Sequence, residues 1–458
     1  MKKFSLLALG ACFSLVSMFP AFAAEAPVKD WTVAVFLNAD NNLDPFGFED
    51  QKEMARVGSN DFMNVVTLID RENGPAQINY IEKDNIQKIK DMGELDMGDY
   101  KEFVKFVKFV KANYPAKHYS FSFWNHGSGW KNKKEKALFR GVSYDDSSNN
   151  HITTNQLTIA LEEASKILGQ KIDIVNFDAC LMQMVEVAYA CKEHAVYMVG
   201  SEETEPGKGA PYDDILKGVK PEMDAKAFAL NWAKAFADSY NYGSQGNDLS
   251  TQSVVDLSKI DELTDGISGV AKAIMAGKYG IAMRKVAFRA QGYDDVDNKD
   301  IYSLFEELKE EGANDKALLS AIDKAQKALK KAVIYSRYTG YKAKDSNGLA
   351  IFFPTSYMVG NLYKDLAFAK KCMWDEMILD LGKKVQIEML MDAVKSGRLS
   401  ELKSIISQAK RDPKNPIYRK ILTELNYINS VENSIPAKYK DEFEALFAEF
   451  KEVLQTAN

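Results

Sequence analysis

The chain has 458 residues, of which 46% are hydrophobic, and a formal net charge of -6 at pH 7. This length allows two or three domains with a large core. Because the lysines are interleaved with a slight excess of acids, the sequence offers no basic surface for nucleic acid or for an anionic membrane.

Residues 1–24 have the pattern of a secretory signal peptide. Lys2 and Lys3 precede an apolar stretch at 4–19, and small residues follow at 21 and 23. The alternative is a lipoprotein cleavage site before Cys12, but the apolar run continues past that cysteine. We therefore predict a cleaved signal and a secreted or periplasmic protein. No later apolar run reaches the roughly 18 residues needed to span a membrane.

The next part of the chain alternates between strands and helices. Strands are predicted at 31–38, 64–70, 77–82, 119–124, 172–177 and 197–201, and helices at 43–57, 99–113, 153–168 and 181–191. This alternation predicts an α/β fold, with a mostly parallel central sheet covered by helices on both faces. The pattern then changes to a mostly helical insertion at about 222–335. A late strand at 348–354 is expected in the same sheet, and a helical region follows at 361–458.

A histidine and a cysteine follow two of the predicted strands. Residues 124–130 (WNHGSGW) place His126 after one strand, and residues 176–181 (NFDACL) place Cys180 after another. In an open parallel sheet, ligands gather outside the carboxyl ends of the strands. The helix at 153–168 is long enough to connect neighbouring strands, so we expect His126 and Cys180 to lie close together.

A cysteine beside a histidine, as expected for Cys180 and His126, is typical of a thiol nucleophile and its acid–base partner. We expect Cys180 to begin a helix, whose N-terminus would favour the thiolate. Gly127 has no Cβ, so its N–H and that of Cys180 could form an oxyanion hole. The competing interpretation is that Cys180 is a core residue and that His126 and Gly127 form a turn.

Asp178 lies two residues before Cys180 and should open into the same crevice. A carboxylate beside a thiolate is unfavourable unless a cation offsets it, which suggests a pocket for an Arg or Lys side chain. The alternative is that Asp178 caps a helix. Cys191 and Cys372 could form a disulfide, or both could be buried free thiols.

These two segments resemble those of the clostripain family of cysteine peptidases, in the caspase-like clan. Further similar segments lie at 31–43, at 201–207 (SEETEPG) and at 347–354 (NGLAIFFP). The resemblance implies a caspase-like α/β/α peptidase domain over residues 28–360. It also implies that Cys180 is the nucleophile, that His126 is the general acid–base, and that Asp178 lines a pocket selecting Arg or Lys.

The resemblance further implies cleavage of the chain between the two catalytic segments. That interval is rich in basic residues, and we predict processing after Arg140, with Lys136 as the second choice. The simpler interpretation is an ordinary lysine-rich surface loop. Lys208 departs from the pattern of some relatives, in which an acidic or neutral residue is expected at this position. If its side chain points into the pocket, it would oppose a basic substrate side chain.

No cofactor or metal site is predicted. Some relatives depend on calcium, but the cluster of Asp294, Asp295, Asp297 and Asp300 lacks the glycine and terminal glutamate of an EF-hand loop. Calcium dependence is left open.

We therefore expect an exported cysteine endopeptidase that acts on proteins or peptides after basic residues. The alternatives are a catalytically silent binding module with a peptidase-like fold, or a thiol enzyme of another class such as a transferase. The oligomeric state is not predicted.

Overall fold

The structure, a computed structural model, describes residues 27–130, 141–430 and 435–455. The strands are β1 (Lys29–Ala39), β2 (Met63–Arg71), β3 (Ala76–Glu82), β4 (Asn85–Gly93), β5 (Ala116–Trp124), β6 (Val142–Asp145), β7 (Asn150–Ile152), β8 (Ile172–Asp178), β9 (Ala195–Gly200), β10 (Asn241–Gly243), β11 (Gly246–Asn247), β12 (Ser250–Asp256), β13 (Asn298–Asp300), β14 (Val333–Thr339) and β15 (Ala350–Phe352).

The α-helices lie between single strands or groups of strands up to β9, and they dominate the rest of the chain. They are α1 (Asp44–Ala55), α2 (Tyr100–Asn113), α3 (Thr154–Leu168), α4 (Val185–Cys191), α5 (Tyr212–Gly218), α6 (Ala225–Ser239), α7 (Ile260–Ala276), α8 (Met283–Arg289), α9 (Ile301–Glu311), α10 (Lys316–Ala332), α11 (Asn361–Lys364), α12 (Ala367–Lys371), α13 (Trp374–Lys395), α14 (Ser400–Arg411), α15 (Pro416–Ser430) and α16 (Lys440–Gln455). Among the described residues, none of these helices combines the length and the apolar character needed to cross a bilayer.

One large sheet organises the molecule, with strand order β14-β12-β9-β8-β5-β1-β2-β3-β4. The five central strands, from β9 to β2, run parallel, and antiparallel pairs complete both edges. The predicted α/β class with parallel central strands is confirmed. The carboxyl ends of β5 and β8 therefore open at the same edge of the sheet, side by side.

Helices cover both faces of this sheet because its central strands are apolar on both sides. Along β1, Ala34 and Phe36 enter one hydrophobic core, and Val33, Val35 and Leu37 enter the other. Alternate strand residues point to opposite faces, so a near-continuous apolar strand needs a cover on each. Helices α2, α3, α4 and α7 supply one cover, and α1, α5 and α6 supply the other.

Helix α3, which connects this part of the chain to β8, carries clear end signals. The Thr153 side chain accepts a hydrogen bond from Gln156 N, and the Gln156 side chain accepts one from Thr153 N, which forms a capping box. Gly169 ends the helix in the left-handed conformation, with φ of 76°. These caps fix the length of the connection that brings β8 beside β5.

The prediction that the late strand joins the main sheet is wrong. β15 is present, but it pairs antiparallel with β13 in a separate two-stranded sheet. The place beside β12 at that edge is taken by β14, so no position remains there for β15. The region at 222–335 is largely helical, but it also supplies β12 and β14, which extend the main sheet.

The C-terminal region packs in two groups. Apolar residues up to Val385, including Trp374, belong to one of the two main cores. A separate hydrophobic cluster then runs from Leu390 to Leu454 across the end of α13 and helices α14–α16. Helix α13 therefore belongs to both groups, and its first half is part of the α/β unit.

Candidate active site

The site lies where β5 and β8 end. Trp124 and Asp178 are paired residues in the parallel ladder of these strands, and His126 and Cys180 each follow two residues later. His126 and Cys180 both line a cavity of about 430 Å³. The structure therefore brings the predicted histidine and cysteine together in one cleft.

Asn125 connects the strand ends around this cleft. Its backbone N–H donates to Asp178 O at 3.2 Å, and its side-chain Nδ2 donates to Asn38 O at 2.6 Å. Its Oδ1 accepts from Tyr144 N at 2.8 Å. One buried residue thus joins β1, β5, β6 and β8 immediately before His126. No role was predicted for Asn125, although its position directly before His126 was a signal.

His126 is half-buried and held at one ring nitrogen. Its Nε2 lies 2.8 Å from Asn42 Oδ1, and because a carbonyl oxygen only accepts, Nε2 carries the proton. Burial lowers the pKa of His126 below 6.5, and the charge of Asp146 opposes this change. The imidazole is therefore neutral at pH 7, with Nδ1 able to accept a proton.

Cys180 does not begin a helix, contrary to the sequence-based expectation. Helix α4 starts at Val185, and the residues between form an irregular connection. Leu181 has φ of 63°, and its N–H donates to Glu203 O at 3.1 Å. Gln183 N donates to Ser201 O at 3.0 Å. These bonds to the segment after β9 hold the connection away from helical geometry, so the N-terminus of α4 does not act on the thiol.

The Cys180 thiol is protonated in the resting site. Burial, together with the nearby charge of Glu205, raises its pKa to about 12. Glu205 N donates to Sγ at 3.3 Å, which only partly offsets this effect. A neutral thiol beside a neutral imidazole needs a proton transfer before it can attack, because the thiolate is the nucleophile.

Gly127 lies directly against the cysteine segment. A Cβ at this position would be 2.4 Å from Cys180 O, 2.9 Å from Met182 Cγ and 3.1 Å from Ala179 Cβ. Glycine is therefore required for this approach of the two strand ends. It places the backbone of residue 127 next to that of Cys180, as an oxyanion site made by both would need.

A smaller cavity of about 130 Å³ is also lined by His126 and Cys180, with Asp178 in its wall. Asp178 Oδ1 accepts from Ala210 N at 3.1 Å, and Oδ2 accepts from Tyr212 OH at 2.8 Å. The carboxylate does not cap α4. Gly209, with φ of 61°, passes over it so closely that a Cβ there would be 3.0 Å from Oδ1.

Two further acids, Glu205 and Asp50, lie near Asp178. Glu205 lines the small cavity, and both of its carboxyl oxygens are buried close to Asp178 and Gln252. Burial and the charge of Asp178 raise the pKa of Glu205 well above its usual value, and the same two causes raise that of Asp50. Burial also raises the pKa of Asp178 to about 6. Neither Glu205 nor Asp50 was predicted as a site residue, because only the fold brings them to Asp178.

Lys208 does not line this cavity. It is exposed, and its Nζ donates to Gln245 O at 3.3 Å, in the β10–β11 hairpin. The predicted conflict between this lysine and a basic substrate side chain is therefore absent from the geometry.

The acidic cluster at 294–300 divides into separate groups. Asp294 and Asp295 line the larger cavity. Asp297 Oδ1 accepts from Thr355 N, and the buried Asp300 accepts from Ser303 N and Asn347 N. Within the described ranges, no three His, Cys, Asp or Glu side chains are grouped so that they could hold a metal ion.

Cys191 and Cys372 are both buried and free, so the disulfide considered between them is not formed. The candidate processing residues Arg140 and Lys136 lie outside the described residues, as do the signal peptide and Cys12.

Comparison with known proteins agrees with this architecture. The model of the clostripain family (peptidase C11) matches residues 35–389. Clostripain from Hathewaya histolytica is 28% identical over 222 residues, which cover 41% of this chain and 42% of that protein. The match thus spans less than half the length of this curated relative.

Two solved structures share the fold. One is a secreted C11 cysteine protease from Bacteroides thetaiotaomicron in complex with an irreversible peptide inhibitor, with a TM-score of 0.58 and 22% identity. The other is an inactive zymogen of a C11 protease from Parabacteroides distasonis, with a TM-score of 0.56 and 22% identity. Each alignment covers 76% of this chain and 99% of the other. The predicted family resemblance is confirmed, and the chain belongs to the clostripain family of cysteine peptidases.

Proposed function

We propose that this protein is an exported cysteine endopeptidase that hydrolyses peptide bonds after Arg or Lys. The observation that carries this proposal is the placement of His126 and Cys180 at the ends of two adjacent parallel strands, with an acidic cavity beside them. Membership of the clostripain family supports the chemistry, and the cavity supports the specificity.

The reaction begins with a neutral dyad. His126 Nδ1 takes the proton from Cys180 as Sγ bonds to the substrate carbonyl carbon, and the oxyanion is held by the N–H groups of Gly127 and Cys180. Collapse breaks the C–N bond, and the imidazolium gives its proton to the leaving amine. Water then attacks the thioester while His126 takes a proton from it and returns it to Sγ, which releases the acid.

The small cavity supplies the preference for a basic residue. Asp178 and Glu205 share its wall, and both resist ionisation there because they are buried close together. A guanidinium or ammonium group entering the cavity would stabilise both carboxylates, and a neutral side chain would not. We expect Asp178→Asn to lower turnover of Arg and Lys substrates by at least roughly thirtyfold, and that of neutral substrates far less.

Self-processing is the second part of the proposal. Ser128 N donates to Gly141 O at 3.1 Å, and Gly141 N donates to Ser128 Oγ at 3.2 Å. Ser128, two residues after His126, and Gly141 are thus hydrogen-bonded to each other, and the interval that contains Lys136 and Arg140 lies between them in the sequence. Such an interval starts and ends beside the cleft, which supports cleavage after Arg140, or else after Lys136. A relative from Parabacteroides distasonis has been solved as an inactive zymogen.

Export is proposed on the signal-peptide pattern of residues 1–24, and a related Bacteroides structure is of a secreted protease. Lipid attachment at Cys12 is the alternative. Mass analysis of the mature protein from cells tests this, since cleavage after Ala23 or Ala24 removes Cys12 and lipidation retains it.

One experiment tests the function. Wild type and Cys180→Ala are incubated in parallel, followed on a gel, and profiled on a peptide library. We expect cleavage after Arg and Lys, and a shortened chain, with the wild type only. Equal turnover by both proteins would overturn the proposal. A wild type that neither cleaves nor reacts with a basic chloromethyl ketone would favour the silent binding module.

A further inference from the structure

We propose that Asn42 is the positioning residue of the catalytic histidine. It selects the tautomer and orientation of His126 through a neutral hydrogen bond. This inference rests on the proposed function, because it assumes that His126 is the base for Cys180. The hydrogen bond from Nε2–H to Asn42 Oδ1 is 2.8 Å long, and Asn42 also lines the larger cavity.

The bond decides which ring nitrogen does the chemistry. A neutral imidazole has one N–H and one lone pair, and an amide oxygen accepts only the N–H. With the proton held at Nε2, the lone pair is on Nδ1. Without Asn42 both tautomers would be populated, and the one with the proton on Nδ1 could not accept the thiol proton.

The neighbouring residue fixes the backbone of Asn42. Asn41 is buried, its Oδ1 accepts from Leu43 N at 2.9 Å, and its Nδ2 donates to Tyr144 O at 2.9 Å. Asp44 N donates to Asn41 O at 3.0 Å at the start of α1. The Asn42 side chain is exposed, but it stands on a turn that is tied to β6. A peptide filling the cleft would exclude water from the bond and strengthen it.

Because Asn42 is uncharged, it orients His126 without favouring the imidazolium. Asp146, Asp294 and Asp295 already line the cavity around His126, and burial keeps its pKa below 6.5. A carboxylate at position 42 would favour the imidazolium, which cannot take the proton of a neutral Cys180. An amide orients the ring and leaves it basic but unprotonated at neutral pH.

The test compares Asn42→Ala, Asn42→Asp and the exposed control Asn113→Ala in the full-length protein, with a fluorogenic Arg peptide. We expect Asn42→Ala to lower kcat about five- to tenfold and to leave KM within about twofold. Asn42→Asp should recover part of kcat at high pH and move the acidic limb of the kcat/KM profile to higher pH, since a carboxylate raises the pKa of His126. Asn113→Ala should match the wild type.

The inference is overturned if Asn42→Ala matches the wild type, or if Asn42→Asp and Asn42→Ala give the same pH profile. Cys180→Ala is measured beside them. If that variant is inactive while Asn42→Ala is unaffected, the positioning role fails and the proposed function stands. If Cys180→Ala remains active, the proposed function itself fails.

Discussion

Cys180 and His126 are both uncharged in the resting structure. Burial raises the pKa of Cys180 to about 12 and lowers that of His126 below 6.5, so a thiolate–imidazolium pair is unfavourable before substrate enters. The dyad is therefore a base and its acid rather than a preformed ion pair. This differs from the expectation of a helix-activated thiolate, because the helix begins five residues too late.

This difference can be measured by alkylation. We expect the rate of reaction of Cys180 with iodoacetamide to rise continuously with pH through the neutral range, about tenfold per unit, with no plateau below pH 9. Cys180→Ala gives the blank, since Cys191 and Cys372 are buried. A plateau between about pH 5 and 7 would show a preformed ion pair and contradict this prediction.

The ionised Asp178 carboxylate should lower the free energy of unfolding at neutral pH. Burial raises its pKa from 3.8 to about 6, so the folded state binds an extra proton between these values. Stability conferred by that proton is present below about pH 4 and is lost as the pH rises through about 6, a change on the order of 3 kcal/mol. We expect Asp178→Asn to raise Tm relative to the wild type more at pH 8 than at pH 4. An equal difference at both pH values would contradict this account.

At the scale of elements, the ends of β5 and β8 hold the candidate dyad. The alternating pattern was enough to predict β1, β2, β5 and β8, the crossover helix α3, and the meeting of His126 with Cys180. It could not predict β12 or the pairing of β15 with β13, because partner choice is not contained in local periodicity. The start of α4 was also placed too early, because the contacts that hold residues 181–184 out of helical geometry come from the distant segment after β9.

The contact between the two strand ends predicts the effect of a single methyl group. Gly127→Ala would place a Cβ 2.4 Å from Cys180 O and separate the two backbones. We expect kcat to fall at least about a hundredfold, as for loss of an oxyanion donor. The matched control is Gly269→Ala in α7, where an added Cβ meets nothing within 4 Å. That change should leave kcat unaltered and stabilise by about 0.5–1 kcal/mol. Equal activity of both variants would count against the oxyanion role.

At the scale of the whole molecule, the C-terminal cluster has a hydrophobic core of its own, separate from the two main cores. The family match ends at residue 389, and the separate hydrophobic cluster begins at Leu390. Trp374 by contrast is fully buried in the main core, where its Nε1 donates to Phe352 O at 2.7 Å.

These contacts predict the outcome of two truncations. A chain ending at Glu388 should keep turnover of a small peptide within about twofold, because each packing group has its own core. A chain ending at Met373 should not fold, since it loses Trp374 and the first half of α13. Circular dichroism melts with peptide assays check both. Loss of cooperative melting in the longer chain would contradict the division.

The adjacency of β5 and β8 has a further consequence for a processed enzyme. The interval between Trp130 and Gly141 separates these strands, so a cut there leaves His126 on one piece and Cys180 on the other. The seam between the pieces would run through the middle of the sheet, along the parallel ladder of Trp124 and Asp178. An intact chain regains its site by a first-order reaction. A cut chain must first find its partner, so recovery from denaturant would become second order and activity would depend on dilution.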